Sequence, residues 1–327
     1  MKFFGNATLA GIVAAGVMSF LPASAQAIES ATLQLATISP PDNVWYKAAV
    51  RFAEGVAERT GGKVTIQIAH SGMTGSVRES VEALQIGTND IVQTVIASLE
   101  PYDDIAAIES YPYLIRDAEH FDKVFGGAVG QELYQEIGKR TGFTLIGAGF
   151  RGARETASKR PVNSVDELAG LKIRVPEIRI FRRTWELLGA SPVPMGTAEV
   201  YTGLQQGIID AVENPLEAHV RSRYYEAANY VLLTSHVHGA YTFLFSDRRF
   251  ARFSPELQAI LREEGEKAMR WGSEQTIEEI EGYKAELERR GVRFIAVDHD
   301  AFRAKLANLP QEFPKLAPWV ERIAAVE

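Results

Sequence analysis

The chain has 327 residues, a formal net charge of −7 at pH 7 and no cysteine. The absence of cysteine excludes disulfides, a lipid-modified cysteine anchor and a thiolate metal site. The acidic balance argues against nucleic acid as a partner, because neutralising phosphates requires clustered lysine and arginine.

Residues 1–27 read as a Sec-type signal peptide. Lys2 supplies the positive charge, residues 9–21 are largely apolar, and alanines near the end of the segment offer A-x-A cleavage sites. A membrane anchor is the alternative, but it needs about 20 apolar residues and a charged stop, and neither follows. Cleavage near Ala25 or Ala27 would remove the single charge of Lys2 and take the net charge from −7 to −8. We therefore expect an exported, periplasmic protein.

About 300 residues would remain, which is more than one hydrophobic core usually supports, so two domains are expected. The mature chain opens with alternating strands and helices. Strands at 33–37, 63–69 and 91–97 enclose helices at 44–60 and 76–88. This βαβαβ order predicts a mainly parallel sheet with helices on both faces.

A second alternating series follows. Its strands are predicted at 143–149, 172–175, 192–195 and 209–214, and its helices at 165–170, 180–189 and 198–207. Ligands in open α/β sheets bind at the carboxyl ends of the strands, so two such sheets facing each other would form a cleft. The predicted fold is α/β with two lobes, each a mainly parallel sheet flanked by helices.

Two arginines and one asparagine lie on turns that a sheet could bring together: Arg154, Arg174 and Asn214. Arginine suits the capture of a carboxylate, because its planar and permanently charged fork meets both oxygens. In residues 171–175 apolar side chains alternate with basic ones, which points Arg174 away from the core at a strand end. The alternative is an arginine held in a structural ion pair.

Residues 254–291 have apolar side chains at helical spacing, with Ser254 as N-cap, Pro255 at the first helical position and Gly291 at the end. Gly265 and Gly272 interrupt this pattern. It predicts one long helix, and the alternative is an ordinary pair of surface helices.

Motifs for catalysis or cofactor binding lack the context that they need. Residues 147–152 match G-x-G-x-x-G, but no helix begins at the third glycine. His236 and His238 share one face of a strand without a third metal ligand. The chain offers no nucleophile, base and orienting group as a set. We therefore expect no enzymatic activity, no cofactor and no metal.

Several segments together resemble the solute-binding proteins of tripartite ATP-independent periplasmic (TRAP) transporters. These segments are GARETAS, GLKIRVPE, GASPVPM, EVYTGLQQGIIDAVENPL and LTSH, and the likeness extends over nearly the whole mature chain. The resemblance implies a two-lobed binding protein whose long helix runs across both lobes and whose partners are the integral membrane permease subunits. It assigns residues 28–151 and about 240–279 to lobe 1, and residues 152–239 and about 280–327 to lobe 2.

The same resemblance implies roles for five residues of these segments. Arg174 is similar to the arginine that clamps the substrate carboxylate with two bonds, and Arg154 to a second, supporting arginine. Asn214 looks like an amide that also meets the carboxylate. Glu213 and His236 look like partners that support these binding residues without reaching the ligand.

Two further residues bear on specificity. Thr197 stands where some relatives carry an aromatic side chain that stacks on the ligand. Glu79 begins a helix after the turn SGMTGS, a position from which relatives reach into the cleft, and the resemblance there is to members that bind sugar acids. The alternative for Glu79 is a solvated carboxylate stabilised by the helix dipole.

We therefore predict a sugar acid, a uronate or an aldonate, as the ligand. An α-keto acid or other small organic acid, or a C4-dicarboxylate, is the alternative. A periplasmic ligand sensor is the alternative to a transport subunit. We expect a monomer, although the apolar side chains of residues 313–320 could either pair with a second copy or cover the protein's own core.

Overall fold

The computed structural model describes residues 1–3, 5 and 28–327. The cleavage sites and the apolar segment of the predicted signal peptide lie outside the described residues. Among the residues that are described, none of the helices is both long enough and apolar enough to cross a bilayer.

Within residues 28–327 the strands are β1 Ala31–Thr37, β2 Val64–Ala69, β3 Ile91–Val95, β4 Phe143–Ser158, β5 Lys172–Val175, β6 Ser191–Pro194, β7 Ala211–Pro215, β8 Tyr230–Leu233, β9 His238–Ser246 and β10 Arg293–Ala296. The predicted strands of both series are present. The longer β4 and the strands β8 to β10 add to them.

The α-helices are α1 Val44–Arg59, α2 Val77–Ile86, α3 Ala118–Phe125, α4 Ala128–Thr141, α5 Arg179–Leu187, α6 Val200–Gln206, α7 Leu216–Arg221, α8 Asp247–Phe250, α9 Pro255–Arg289, α10 His299–Lys305, α11 Leu309–Glu312 and α12 Ala317–Ala324. Short 3₁₀ turns link them at Ile96–Leu99, Asp104–Ser110, Val165–Leu168, Thr197–Glu199, Tyr224–Glu226 and Pro314–Leu316. The helix predicted at 165–170 is one of these turns.

Two sheets share the strand β4. Residues 143–153 of β4 pair with β9, which completes a first sheet in the order β2-β1-β3-β9-β4. Residues 154–158 pair with β7 and belong to a second sheet in the order β4-β7-β5-β6, and β8 and β10 extend that sheet on the other side of β4. The outer strands run parallel as predicted, whereas the pairs that involve β4 or β9 are antiparallel.

The glycines of the G-x-G-x-x-G segment make the passage of β4 between the sheets possible. Gly147 and Gly152 have φ angles of 68° and 82°, which side chains other than glycine rarely adopt. The pairing of β4 with β9 shifts register near both glycines. Such bulges bend a strand and increase its twist, so the motif serves the course of the backbone here.

The long helix α9 is continuous, and two of its three internal glycines allow close packing. A Cβ added at Gly272 would lie 2.7 Å from the ring of Trp45, and one at Gly265 would lie 2.6 Å from the side chain of Ile146. Along its length α9 packs against α1, β4 and α7. It therefore contacts elements of both sheets, as predicted for a helix that runs across two lobes.

The C-terminal residues cover the protein's own core. Phe313 and Leu316 are fully buried, and Trp319 and Val320 pack against the same apolar cluster. The turn at Pro314–Leu316 and helix α12 contact elements that precede β4, whereas α11 contacts α5. The C-terminal segment thus touches both halves, and the lobe boundaries inferred from sequence stay a prediction.

Candidate ligand-binding site

The second sheet brings three predicted binding residues onto neighbouring strands. Arg154 lies on β4, Asn214 on β7 and Arg174 on β5, and β7 lies between the other two strands. The Cα of Arg154 pairs with that of Pro215, and the Cα of Arg174 pairs with that of Val212. Distant parts of the chain therefore meet at the carboxyl end of β7, where ligands of α/β sheets bind.

Arg174 is buried, which differs from the expected outward-pointing side chain. Its neighbours Ile173 and Val175 pack in the core on the opposite face, as predicted, but Arg174 itself is only 4% exposed. The chain beyond β6 covers it, and Nε and Nη2 donate to the carbonyl oxygen of Met195 at 2.9 and 2.7 Å. The alternation of the strand predicted the face correctly, whereas this cover depends on a residue far along the chain.

No carboxylate pairs with Arg174 among residues 28–327. Its two hydrogen bonds go to a neutral carbonyl, and Nη1 makes none within the described part of the chain. Burial lowers the pKa of Arg174, because a low-dielectric surrounding disfavours its charge. A guanidinium nevertheless stays protonated at neutral pH. Arg174 is therefore a buried cation that an anionic ligand would neutralise.

Arg154, in contrast, already has an anionic partner. Its Nε and Nη2 donate to the two carboxylate oxygens of Glu213, and Nη2 also donates to the carbonyl oxygen of Glu213 at 2.9 Å. The ring of Phe181 lies 4.8 Å from the guanidinium carbon. Most of the donors of Arg154 are thus occupied by protein, which fits a supporting arginine better than a primary anchor.

Glu213 links Arg154 to His236. Burial alone would raise the pKa of Glu213, but Arg154 and His236 outweigh it and hold the pKa well below its usual range. Burial lowers the pKa of His236, so the ring is neutral at pH 7. Nε2 of His236 therefore carries the proton and donates to Glu213 at 3.2 Å, while Nδ1 accepts from the hydroxyl of Thr234 at 3.0 Å. This network fixes the position of Arg154.

The amide of Asn214 makes no hydrogen bond within the described residues, although the residue is only 6% exposed. It is thus available to a ligand at the edge where Arg174 and Arg154 meet.

The structure gives the two remaining candidates other surroundings. Glu79 is exposed, and its carboxylate accepts from the backbone N–H of Ser76 at 2.7 Å in a reciprocal capping box at the start of α2. Backbone and side-chain bonds from Ser76 lower the pKa of Glu79. Its geometry thus matches the helix-terminus alternative. Thr197 is exposed at the start of the turn before α6.

Three residues next to the site were not anticipated from sequence. Helix α5 places Phe181 against Arg154 and the indole of Trp185 edge-on to His236, with ring centroids 5.3 Å apart. Both lie on the buried, apolar face of an amphipathic helix, which was a usable signal. Glu155 is also buried, and burial raises its pKa to about 7 although Ser235 donates to it. No local sequence pattern predicted that the carboxyl group of Glu155 is buried.

The rings of the histidine pair have protein partners in the structure. His236 is engaged with Glu213 and Thr234, and Nδ1 of His238 lies 2.9 Å from the carbonyl oxygen of Ile115. Within residues 28–327, no three histidine, aspartate or glutamate side chains converge as a metal site would require. A groove of about 1280 Å³ between α3, α4 and α9 carries none of the predicted binding residues.

A family model for bacterial extracellular solute-binding proteins, family 7 (DctP), matches residues 35–316. The chain belongs to this family. Members of this family are solute-binding proteins, which is a non-enzymatic role.

Individual relatives agree with this assignment. A solute-binding protein of Roseobacter denitrificans is 31% identical over 318 residues, 96% of this chain and 97% of its own. Its structure with bound L-galactonate aligns with a TM-score of 0.84 over 90% of this chain and 99% of that one. A TRAP periplasmic solute binding protein from Xanthobacter autotrophicus, with bound β-D-galacturonate, is 28% identical, with a TM-score of 0.87 and coverage of 90% and 100%.

A more distant relative, the sialic acid-binding periplasmic protein of Vibrio cholerae, is 26% identical over 312 residues, 94% of this chain and 96% of its own. The predicted family and the two-lobed α/β fold are thereby confirmed.

Proposed function

We propose that this protein captures a sugar acid, a uronate or an aldonate, between its lobes and delivers it to the membrane subunits of a TRAP transporter. The observation that carries the proposal is the buried guanidinium of Arg174, which faces no carboxylate in residues 28–327. An unpaired buried charge is costly, and an incoming carboxylate would remove that cost. The relatives with bound galacturonate and galactonate support the choice of ligand class.

In this proposal each binding residue has a distinct task. Arg174 meets both carboxylate oxygens, the free amide of Asn214 donates a further bond, and Arg154 offers its remaining N–H donors while Glu213 holds it in place. Exclusion of water on closure strengthens the ion pair, because the effective dielectric constant falls. Glu79 and Thr197 stay predictions, since their own contacts do not favour them. The protein binds and releases its ligand unchanged, in the periplasm.

A ligand screen tests the ligand class. Thermal shift followed by calorimetry would compare D-glucuronate, D-galacturonate and L-galactonate with the uncharged sugars glucose and galactose. We expect an acid sugar to raise the melting temperature and its uncharged counterpart to leave it unchanged, since only the acid offers Arg174 a charge. Pyruvate and succinate belong in the same screen, because stabilisation by either alone would replace the sugar acid by an α-keto acid or a dicarboxylate.

Truncation of Arg174 tests the anchor. Removing one partner of a buried charge pair costs about 2–5 kcal/mol, so Arg174→Ala should weaken the affinity for the best acid by roughly 30-fold or more. Arg248→Ala is the matched control, because Arg248 is an exposed arginine outside the site, and its affinity should equal that of the wild type. Equal affinities for wild type and Arg174→Ala would remove Arg174 from the site.

A further inference from the structure

Two segments from different sheets meet side chain to side chain. Asn43 lies in the loop between β1 and α1, and Glu217 lies on α7, directly after β7. Nδ2 of Asn43 donates to Oε1 of Glu217. Beside this bond, Nη1 of Arg221 donates to Oδ2 of Asp42 at 2.5 Å. Because β1 belongs to the first sheet and β7 to the second, both contacts bridge the two halves at the carboxyl ends of their strands.

The bond between Asn43 and Glu217 is sheltered and geometrically defined. Asn43 is 7% exposed, and the side chain of Glu217 is 13% exposed. Oδ1 of Asn43 accepts from the backbone N–H of Trp45 at 2.6 Å and thereby caps α1. This cap fixes the orientation of the amide, so the N–H group points at Glu217.

Helix α7 is in turn tied to the long helix. Nη2 of Arg221 donates to the hydroxyl of Tyr283 on α9 at 3.3 Å, and its Nε lies 3.0 Å from Oε1 of Glu217. Arg221 is therefore within ion-pair distance of the acceptor that Asn43 reaches. The exposed pair of Arg221 and Asp42 contributes little by itself, because water and salt screen it. A bond to a carboxylate that is shielded from water is stronger.

We infer that Asn43 and Glu217 form a closure latch, a hydrogen bond between the lobes that stabilises the ligand-bound arrangement. The inference rests on the proposed function. In this account the bond breaks when the lobes hinge apart, so its energy adds to the affinity for the ligand. Asn43 is a positioning residue in this account, since both of its polar side-chain atoms are engaged by the protein.

The variant Asn43→Asp tests the latch without removing the helix cap. Aspartate caps α1 as well as asparagine does. Its carboxylate would oppose that of Glu217, and like charges brought together in a closed interface are strongly unfavourable, so we expect about tenfold weaker affinity or more. The melting temperature without ligand should stay near that of the wild type, since the opposed charges separate when the lobes open.

A change at Glu217 should restore the ligand affinity that Asn43→Asp loses. Glu217→Gln keeps an acceptor for Asn43, and this variant alone should bind within about threefold of the wild type, because one neutral hydrogen bond replaces a stronger charged one. In the double variant the amide of Gln at 217 can donate to Asp at 43, so affinity should return to within about threefold of the wild type. A weak double variant would overturn the latch, because it would show that Asn43 acts by another route.

Closure itself can be measured in the same variants. The chain has no cysteine, so Glu54→Cys on α1 and Thr202→Cys on α6 would give two unique sites for spin labels on exposed positions. We expect ligand to shorten the distance between the labels in the wild type, with a smaller closed population in Asn43→Asp at the same ligand concentration. A wild type that binds no acid would refute the proposed function and this inference with it. If the wild type and Asn43→Asp bound the acid with the same affinity and had the same closed population, the latch alone would be refuted.

Discussion

At the scale of single residues, the two arginines of the site differ in what their surroundings already supply. Arg154 has the carboxylate of Glu213, and the pair is 5% and 0% exposed, whereas Arg174 has a backbone carbonyl. A buried cation with a fixed partner holds structure, and one without it is ready for an anion. We therefore predict that Arg154 holds the structure of the site, whereas Arg174 binds the ligand directly.

Removal of the fixed partner should destabilise the fold. Glu213→Gln would leave Arg154 buried without a counter-ion, which costs about 3–5 kcal/mol. Chemical denaturation without ligand would measure this loss in the free energy of unfolding. Glu82→Gln is the matched control, because Glu82 pairs with Arg78 where both side chains are more than half exposed. Exposed pairs contribute about 0–1 kcal/mol, so comparable losses in the two variants would refute a structural role for Glu213.

The alternation of residues 171–175 was enough to predict the strand and the face on which Arg174 lies. It could not predict burial, because the covering carbonyl of Met195 comes from a later segment. For Glu79, in contrast, the local sequence pattern was sufficient. Its bond to Ser76 is local and readable as a capping box, and that local pattern described its surroundings better than the resemblance did.

At the scale of elements, the long helix α9 was predicted with its first residue, its N-cap and its terminal glycine. Those signals are local, so they survive in any tertiary context. The extension of β4 beyond residue 149 was missed. That part carries Arg154 and Glu155, charges typical of a loop, and only the opposite strands supply the groups that bury them.

Two glycines of α9 should respond in opposite directions to alanine. A Cβ at Gly272 would lie 2.7 Å from the ring of Trp45, whereas one at Gly282 would meet nothing within 4 Å. Overpacking of a core costs about 1–3 kcal/mol, so Gly272→Ala should lower the free energy of unfolding. Gly282→Ala should raise it by about 0.5–1 kcal/mol through helix propensity. Denaturant unfolding measures both, and a stabilised Gly272→Ala would show that Trp45 moves aside.

At the scale of the whole molecule, buried titratable groups set the response of stability to pH. Burial lowers the pKa of His219 and of His238 to about 4, and it lowers that of His236. Burial raises the pKa of Glu155 to about 7 and that of Glu100 to about 6, and it also raises the pKa values of Glu109 and Glu217. At about pH 5 to 6 these histidines therefore bind fewer protons in the folded state than in the unfolded state, whereas these glutamates bind more.

We expect the histidines to dominate between about pH 4.5 and 6.5, because free histidine titrates near 6.5. In this window the unfolded chain binds more protons than the folded one, so the free energy of unfolding rises with pH. The four buried glutamates contribute the opposite slope and reduce the rise. Unfolding measured without ligand across this window gives the slope, and His238→Gln should flatten it. A stability that falls with rising pH would mean that the glutamates prevail.

The shared strand β4 has a consequence for how such proteins diversify. Because its 16 residues supply an edge to each sheet, no cut along the chain separates the halves without stripping one of them of hydrogen-bonded neighbours. Exchange of a whole half between relatives therefore has to preserve the pairing of β4 with both sheets. Point substitutions in the loops at the strand ends leave that pairing intact, so we expect them to be the simpler route to a new ligand preference.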